Sequence, residues 1–268
     1  MTKFFCTVLK LLDSRMTTPE PYGPFHLVSL ALLIALCVFL IAKFRRADEK
    51  TVRRILLAYS VLCLVLELYK QINFSFGYED GITFHYQWYA FPFQFCSVPM
   101  YVALIAALAR NRSVHTACCT FLATFGMIAG LLVMIYPGDI YTPVIGIDIQ
   151  TTLHHGLQAI IGLWLLVSGH TAHKPREIVR GLCIFFTAAG IALVMDVIAH
   201  FAIPESGFNM FFISPYAPST LPVYSLIYPQ VPYIVFLLLY LVPFSALAWG
   251  IIALRDLIAR GAVKRLAQ

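Results

Sequence analysis

The chain has 268 residues, of which 60% are hydrophobic and 12% charged, with a net charge of +6 and a mean hydropathy of +0.81. A soluble domain carries about 25% charged residues, so a water-soluble fold is excluded. The basic excess is confined to particular connections and does not mark a nucleic-acid binder, and the 7 cysteines, with no CxxC pair, indicate neither a disulfide framework nor a zinc site.

Residues 1–23 hold an apolar run broken by Lys10 and no small-residue cleavage site. They read as an amphipathic interfacial helix rather than a signal peptide. About seven stretches then reach the roughly 20 apolar residues needed to cross a hydrocarbon core: 24–44, 52–73, 88–110, 115–136, 150–169, 177–203 and 228–254. The expected fold is all-α, a polytopic membrane protein forming a single transmembrane domain over 1–268, with no internal repeat or low-complexity tract.

The connections alternate in charge. Lys43, Arg45, Arg46, Lys50, Arg53 and Arg54 lie in the first, Arg110 and Arg112 in the third, and Lys174, Arg176 and Arg180 in the fifth. Arg255, Arg260, Lys264 and Arg265 follow the last span. The other side has Lys3, Lys10, Arg15 and Lys70, with the acidic Glu79, Asp80, Asp139, Asp148 and Glu205. The positive-inside rule then puts the N-terminus outside and the C-terminus in the cytoplasm, in a cell membrane of bacterial plasma-membrane type. The longest outer connection, 204–227, is rich in proline and aromatics and poor in charge. It is expected to lie at the interface or to fold over the helix ends as a lid.

Polar side chains at bilayer depth are costly and mark candidate sites. They are Glu67 and Lys70 in the second span, Gln94 and Cys96 in the third, His154, His155 and Gln158 in the fifth, and Asp196 and His200 in the sixth, with His26 at the start of the first. By span direction they fall in one layer, roughly 5–13 Å below the outer surface, above an inner half that holds no comparable set. That asymmetry favours an enzyme or receptor with an outward cavity over a transporter. Glu67 and Lys70 are three residues apart and read either as a self-neutralising pair or as part of the site. Asp196 and His200 are four apart, so the carboxylate could orient the imidazole or the two could clamp helices. Gly156 beside His155 leaves room for a ligand. Cys96 lies between Pro92 and Pro99, which loosen a helix. In a regular helix Gln94 and Cys96 would point about 200° apart, so they share a site only if the prolines distort it.

These residues also carry a resemblance. WYAFPFQFCSVPMYVALIAAL, ELYKQI at 67–72, LHHGLQ at 153–158, GFNMFFISPYAP at 207–218 and YPQVPYIV at 228–235 resemble, in order and spacing, the YwaF-type family of bacterial integral membrane proteins. That family is related to eukaryotic multi-pass phospholipid acyltransferases. The resemblance implies a catalytic cysteine at Cys96, a catalytic histidine at His155 with His154 as competitor, and the turn asparagine at Asn209. Gln94 stands where histidine is commoner, and Phe93 and Phe95 replace aliphatic residues. The function expected is a membrane-embedded acyltransferase, or a lipase, acting on phospholipid or lysophospholipid through a Cys/His acyl-enzyme. Gln94, Gln158, Glu67, Lys70, Asp196, His200 and Asn209 would support it. Membrane lipids are the expected partners, without metal, cofactor or nucleic acid. The alternative is a non-enzymatic protein that binds lipid or a small molecule.

Overall fold

Prolines and caps set the helix ends. After α1 (Thr2–Leu12), Pro24 opens α2 (Pro24–Phe44) at a position where its missing N–H costs no hydrogen bond. The Asp48 carboxylate caps α3 (Glu49–Ser75) by accepting from the Thr51 N–H at 2.9 Å, and that bond holds its carboxyl below the usual range. A short hairpin, β1 (Phe76–Gly77) and β2 (Thr83–Phe84), and α4 (Val98–Leu108) follow. Next, α5 (Arg112–Phe121) continues through a π turn, Leu122–Gly126, into α6 (Met127–Ile135). The chain then forms α7 (Ile145–Ser168), α8 (Pro175–Ala202), α9 (Tyr224–Ile227) and α10 (Tyr233–Leu266).

This computed structural model describes residues 2–79, 81–138, 140–171, 175–204 and 206–266. Asp80, Asp139, His173, Lys174 and Glu205, and the side chains of Arg176, Arg260, Lys264 and Arg265, lie outside the described residues.

Among the described residues, 5 helices are long and apolar enough to cross a membrane: Pro24–Phe44, Glu49–Ser75, Arg112–Ile135, Ile178–Ala202 and Tyr233–Ala259. The stretches expected as spans at 88–110 and 150–169 differ, for separate reasons. Residues 91–97 form turns, because the residue before Pro92 is pushed to an extended conformation and Pro99 can sit only in the first turn of a helix. The helix that remains, α4, has 11 residues and is about 16 Å long. By contrast α7 has 24 residues, but Gln150, Thr151, Thr152, His154 and Gln158 of its first half are buried among other helices.

α7 is central, with α2, α3 and α6 packed on it. The α6 contact needs glycine. A Cβ on Gly130 would lie 2.5 Å from the His155 carbonyl oxygen, and one on Gly162 would lie 2.6 Å from the Met127 Cβ.

The basic connections meet at one end. There Arg53 Nη1 donates to the carbonyls of Ala106, Ala107 and Ala109 at 3.1, 3.3 and 2.6 Å, which finishes α4. Trp164 Nε1 donates to the Phe44 carbonyl at 3.2 Å and His170 Nε2 to that of Ala47 at 3.1 Å, while Arg255 donates to the Thr171 hydroxyl. At the opposite end α1 is pinned to α3, the Tyr69 hydroxyl and the Asn73 amide both donating to the Leu12 carbonyl. Tyr78 donates to Asp13 at 2.5 Å, and that hydrogen bond to a carboxylate pushes the phenol above its usual range.

The connection expected at the interface or as a lid is buried in its first part. Met210 and Phe211 are fully buried, and only the stretch beyond turns outward, with Tyr216, Val223 and Leu226 exposed.

Candidate functional site

The proline-broken turn at 91–97 organises the site. The Gln94 carbonyl accepts from Ser97 and Val98 at 2.8 and 3.2 Å, and the Tyr101 hydroxyl donates to the Pro92 carbonyl at 3.0 Å. Phe95 packs against Phe185, Phe211 and Phe244 with ring centroids 5.6, 5.4 and 5.3 Å away. Aromatic residues at 93 and 95 thus fill the gap that a turn leaves where helical packing would have been.

Gln94 holds the inserted connection from both sides. Its amide donates to the Asn209 carbonyl at 2.9 Å and accepts from the Phe211 N–H at 3.0 Å. Asp196 Oδ1 accepts from the Met210 N–H at 2.6 Å. Asn209 Oδ1 accepts from Ser214 N, and its amide donates to Pro218 O at 3.1 Å. These bonds fasten a strained turn, since Phe211 and Phe212 have φ of 56° and 58°. The expected pairing of Asp196 with His200 is therefore corrected. The carboxylate is committed to the turn, whereas His200 is exposed and stacks on Tyr216 with centroids 3.8 Å apart. Four residues along α8 place the imidazole beyond the edge of the inserted connection.

The histidines of α7 divide their roles. His154 is buried, and its Nε2 lies 3.0 Å from the Cys96 carbonyl oxygen. A carbonyl can only accept, so Nε2 carries the proton, and the unprotonated Nδ1 is buried without a partner. His155 Nδ1 donates to the Thr151 carbonyl at 2.8 Å, which leaves Nε2 as the basic nitrogen of the neutral ring. The room expected over Gly156 is not there, because Leu33 of α2 fills it. Gln158 donates to the Gly126 carbonyl of the π turn at 2.8 Å. Buried π turns recur at functional sites.

Glu67 and Lys70 form an ion pair at 2.8 Å, and Gln71 donates to the same carboxylate oxygen at 2.8 Å. The pair sits on α3, which packs against both α4 and α7. Tyr59 of α3 and Tyr240 of α10 are buried, the Tyr59 hydroxyl beside the Cys63 thiol and the Tyr240 hydroxyl without a hydrogen-bond partner. Sequence reading singled out neither tyrosine. Each stands alone among apolar residues at midspan, and only the isolated hydroxyl is a signal. His26 is satisfied on both sides, accepting from Tyr22 N and donating to the Met134 carbonyl, each at 3.0 Å, and so fastens α2 to α6.

No hydrogen bond joins the Cys96 thiol to either imidazole among the described residues; the link runs through the Cys96 backbone. A thiol–imidazole contact does occur at the basic end, where Cys119 Sγ lies 3.6 Å from His115 Nε2. That thiol is 0% exposed and packs as a small hydrophobe.

The sequence model of the TMEM164 family matches residues 21–252. No curated protein and no solved structure gives a significant match.

Proposed function

The chain belongs to the TMEM164 family and is a multi-pass integral membrane protein; from that premise we propose that it transfers acyl chains between membrane lipids by way of a cysteine thioester. In this reading Cys96 Sγ attacks a phospholipid ester carbonyl while His155 Nε2 takes the thiol proton. The ester C–O bond breaks, a thioester forms, and the imidazolium returns the proton to the departing lysolipid alkoxide. A second lysolipid hydroxyl, or water, then gives its proton to His155 and attacks the thioester, and the thiolate leaves and is reprotonated. His154 positions the nucleophile through the Cys96 carbonyl. Lys70 and the hydroxyls of Tyr59 and Tyr240 offer positive charge and donors to the oxyanion.

One observation carries the reading. Cys96 on the proline-broken turn and the two histidines of α7 are brought together by the contact of His154 Nε2 with the Cys96 carbonyl, and the other His154 nitrogen is buried without a partner. Buried polar groups are ordinarily paired, so such a cluster suits a substrate. A 250 Å³ apolar recess between α2 and α7, lined by Leu32, Leu33, Leu36, Ile149 and Leu153, adjoins the His155 turn and suits an acyl chain entering sideways. The orientation that accompanies this reading has the N-terminus outside, seven crossings and the site near the outer leaflet of a plasma membrane. In it, residues 88–108 cross half as turn and half as helix.

The test is intact-protein mass spectrometry after incubation with mixed phospholipids. A hydroxylamine-labile acyl adduct is expected on the wild type and on Cys119→Ala, and is expected to be absent from Cys96→Ala. An adduct that survives Cys96→Ala would overturn the assignment. The lack of a direct bond from the Cys96 thiol to an imidazole favours a second reading, a lipid-binding protein without covalent chemistry. For that reading no adduct forms on the wild type, while phospholipid is still retained by Cys96→Ala.

A further inference from the structure

At the end opposite the Cys96 turn, the starts of α3 and α5, residues 169–171 after α7 and Arg180 of α8 line an open cavity of about 420 Å³, a size within the range of ligand pockets. Arg112, Ser113, His115, Thr116, His170 and Arg180 line it. Its charge is unbalanced. The one carboxylate on its wall, Glu49, is taken by Arg53, whose Nε and Nη2 lie 3.0 and 2.7 Å from Glu49 Oε1. Among the described residues neither Arg112 nor Arg180 has an ion-pair partner, and both line this one concavity.

The remaining wall consists of donors. Ser113 and Thr116 bring hydroxyls from the first turns of α5, whose N-terminus is capped by Asn111 Oδ1 accepting from Ser113 N at 2.8 Å. The two imidazoles are tied back and do not compete for the arginines. His115 Nδ1 donates to the Ala106 carbonyl at 2.8 Å, and His170 Nε2 donates to that of Ala47. Scattered basic side chains along a membrane surface attract anionic lipid in general. Here, two arginines converge with hydroxyls on one recess, a geometry that suits the planar forks of arginine holding a single multivalent oxyanion.

We propose that this cavity is a phosphomonoester-binding site, separate from the Cys96 site and at the other end of the bundle. Two guanidinium charges match a phosphate dianion better than the single charge of a phosphodiester. The phosphomonoester is either the headgroup of a lipid such as phosphatidic acid or a soluble phosphate compound.

Full-length protein in phosphatidylcholine nanodiscs would be titrated with inorganic phosphate and glycerol phosphate by calorimetry. In parallel, nanodiscs containing a few per cent phosphatidic acid would be assayed for lipid retained on the protein by native mass spectrometry. Arg112→Gln and Arg180→Gln, both at exposed positions, are expected to weaken binding about tenfold each. Arg54→Gln, an exposed arginine outside the cavity, is expected to leave it unchanged. Saturable phosphate binding without lipid retention identifies a soluble ligand, and arginine-dependent retention of phosphatidic acid identifies the lipid. Binding lost equally in Arg54→Gln, or unaltered in both cavity variants, would overturn the proposal in favour of general surface attraction. Absence of binding of either probe to the wild type would overturn it outright.

Discussion

Gln94 shows how a single amide can be structural and still sit at the centre of a site. Leucine at this position would strand a buried backbone acceptor at Asn209 and a donor at Phe211, each costing about 1–3 kcal/mol. Gln94→Leu is therefore expected to lower the unfolding temperature in detergent by about 4 °C or more and to open residues 206–222 to protease. Gln94→Glu keeps the acceptor for the Phe211 N–H and loses only the donor to the Asn209 carbonyl, so its loss should be smaller; equal losses would mean that the Phe211 bond contributes nothing. The sequence displayed Gln94 and Asp196 as polar residues in apolar spans, which was enough to single them out, whereas Asn209 came only from the resemblance. It did not display their partners. All three bond to one turn, and local spacing suggested His200 for Asp196 because four residues on a helix is the nearest pairing a linear reading can see.

The contact between α6 and α7 has no slack. In Gly130→Ala the new methyl group would meet the His155 carbonyl and the Ala159 amide, backbone atoms that cannot rotate away. A destabilisation of about 1–3 kcal/mol is expected, read as a drop in thermal midpoint. If acyl-adduct formation falls while the protein stays folded, His155 has been displaced with its helix. Gly190, which has open space where a Cβ would go, is the control position: Gly190→Ala should leave the midpoint unchanged or raised. A second consequence concerns α1. The Tyr78 phenol is raised by its bond to Asp13, so it favours the docked state fully below the ordinary tyrosine value of about 10. That contribution is lost as pH rises through the higher folded value. Release of α1, followed by proteolysis near Asp13, should thus begin in alkaline solution, and Tyr78→Phe should show the open behaviour without that pH dependence.

For the molecule as a whole, apolar run length made most helices legible, as in α2, α3, the α5–α6 rod, α8 and α10. The two stretches that departed were read by length alone, where proline geometry decides one and burial of a polar face within the protein decides the other. Charge alternation has a structural counterpart, since the connections carrying Arg53, Arg112 and Arg180 meet at one end. Single cysteines placed at Thr83 and Arg110 in an otherwise cysteine-free chain test the proposed orientation. An impermeant maleimide on intact cells should label the first, and the second only after permeabilisation; the reverse order would invert the protein in the membrane. The inserted segment around Met210 also constrains how the protein is made. Gln94 and Asp196 reach the membrane when their helices do, yet the backbone groups that satisfy them lie at 209–211, far along the chain. A nascent chain halted before that point carries an unpaired carboxylate and amide in hydrocarbon. Membrane quality control can read that defect as an unfinished product, so synthesis of the connection between α8 and α10 is the event that closes the bundle.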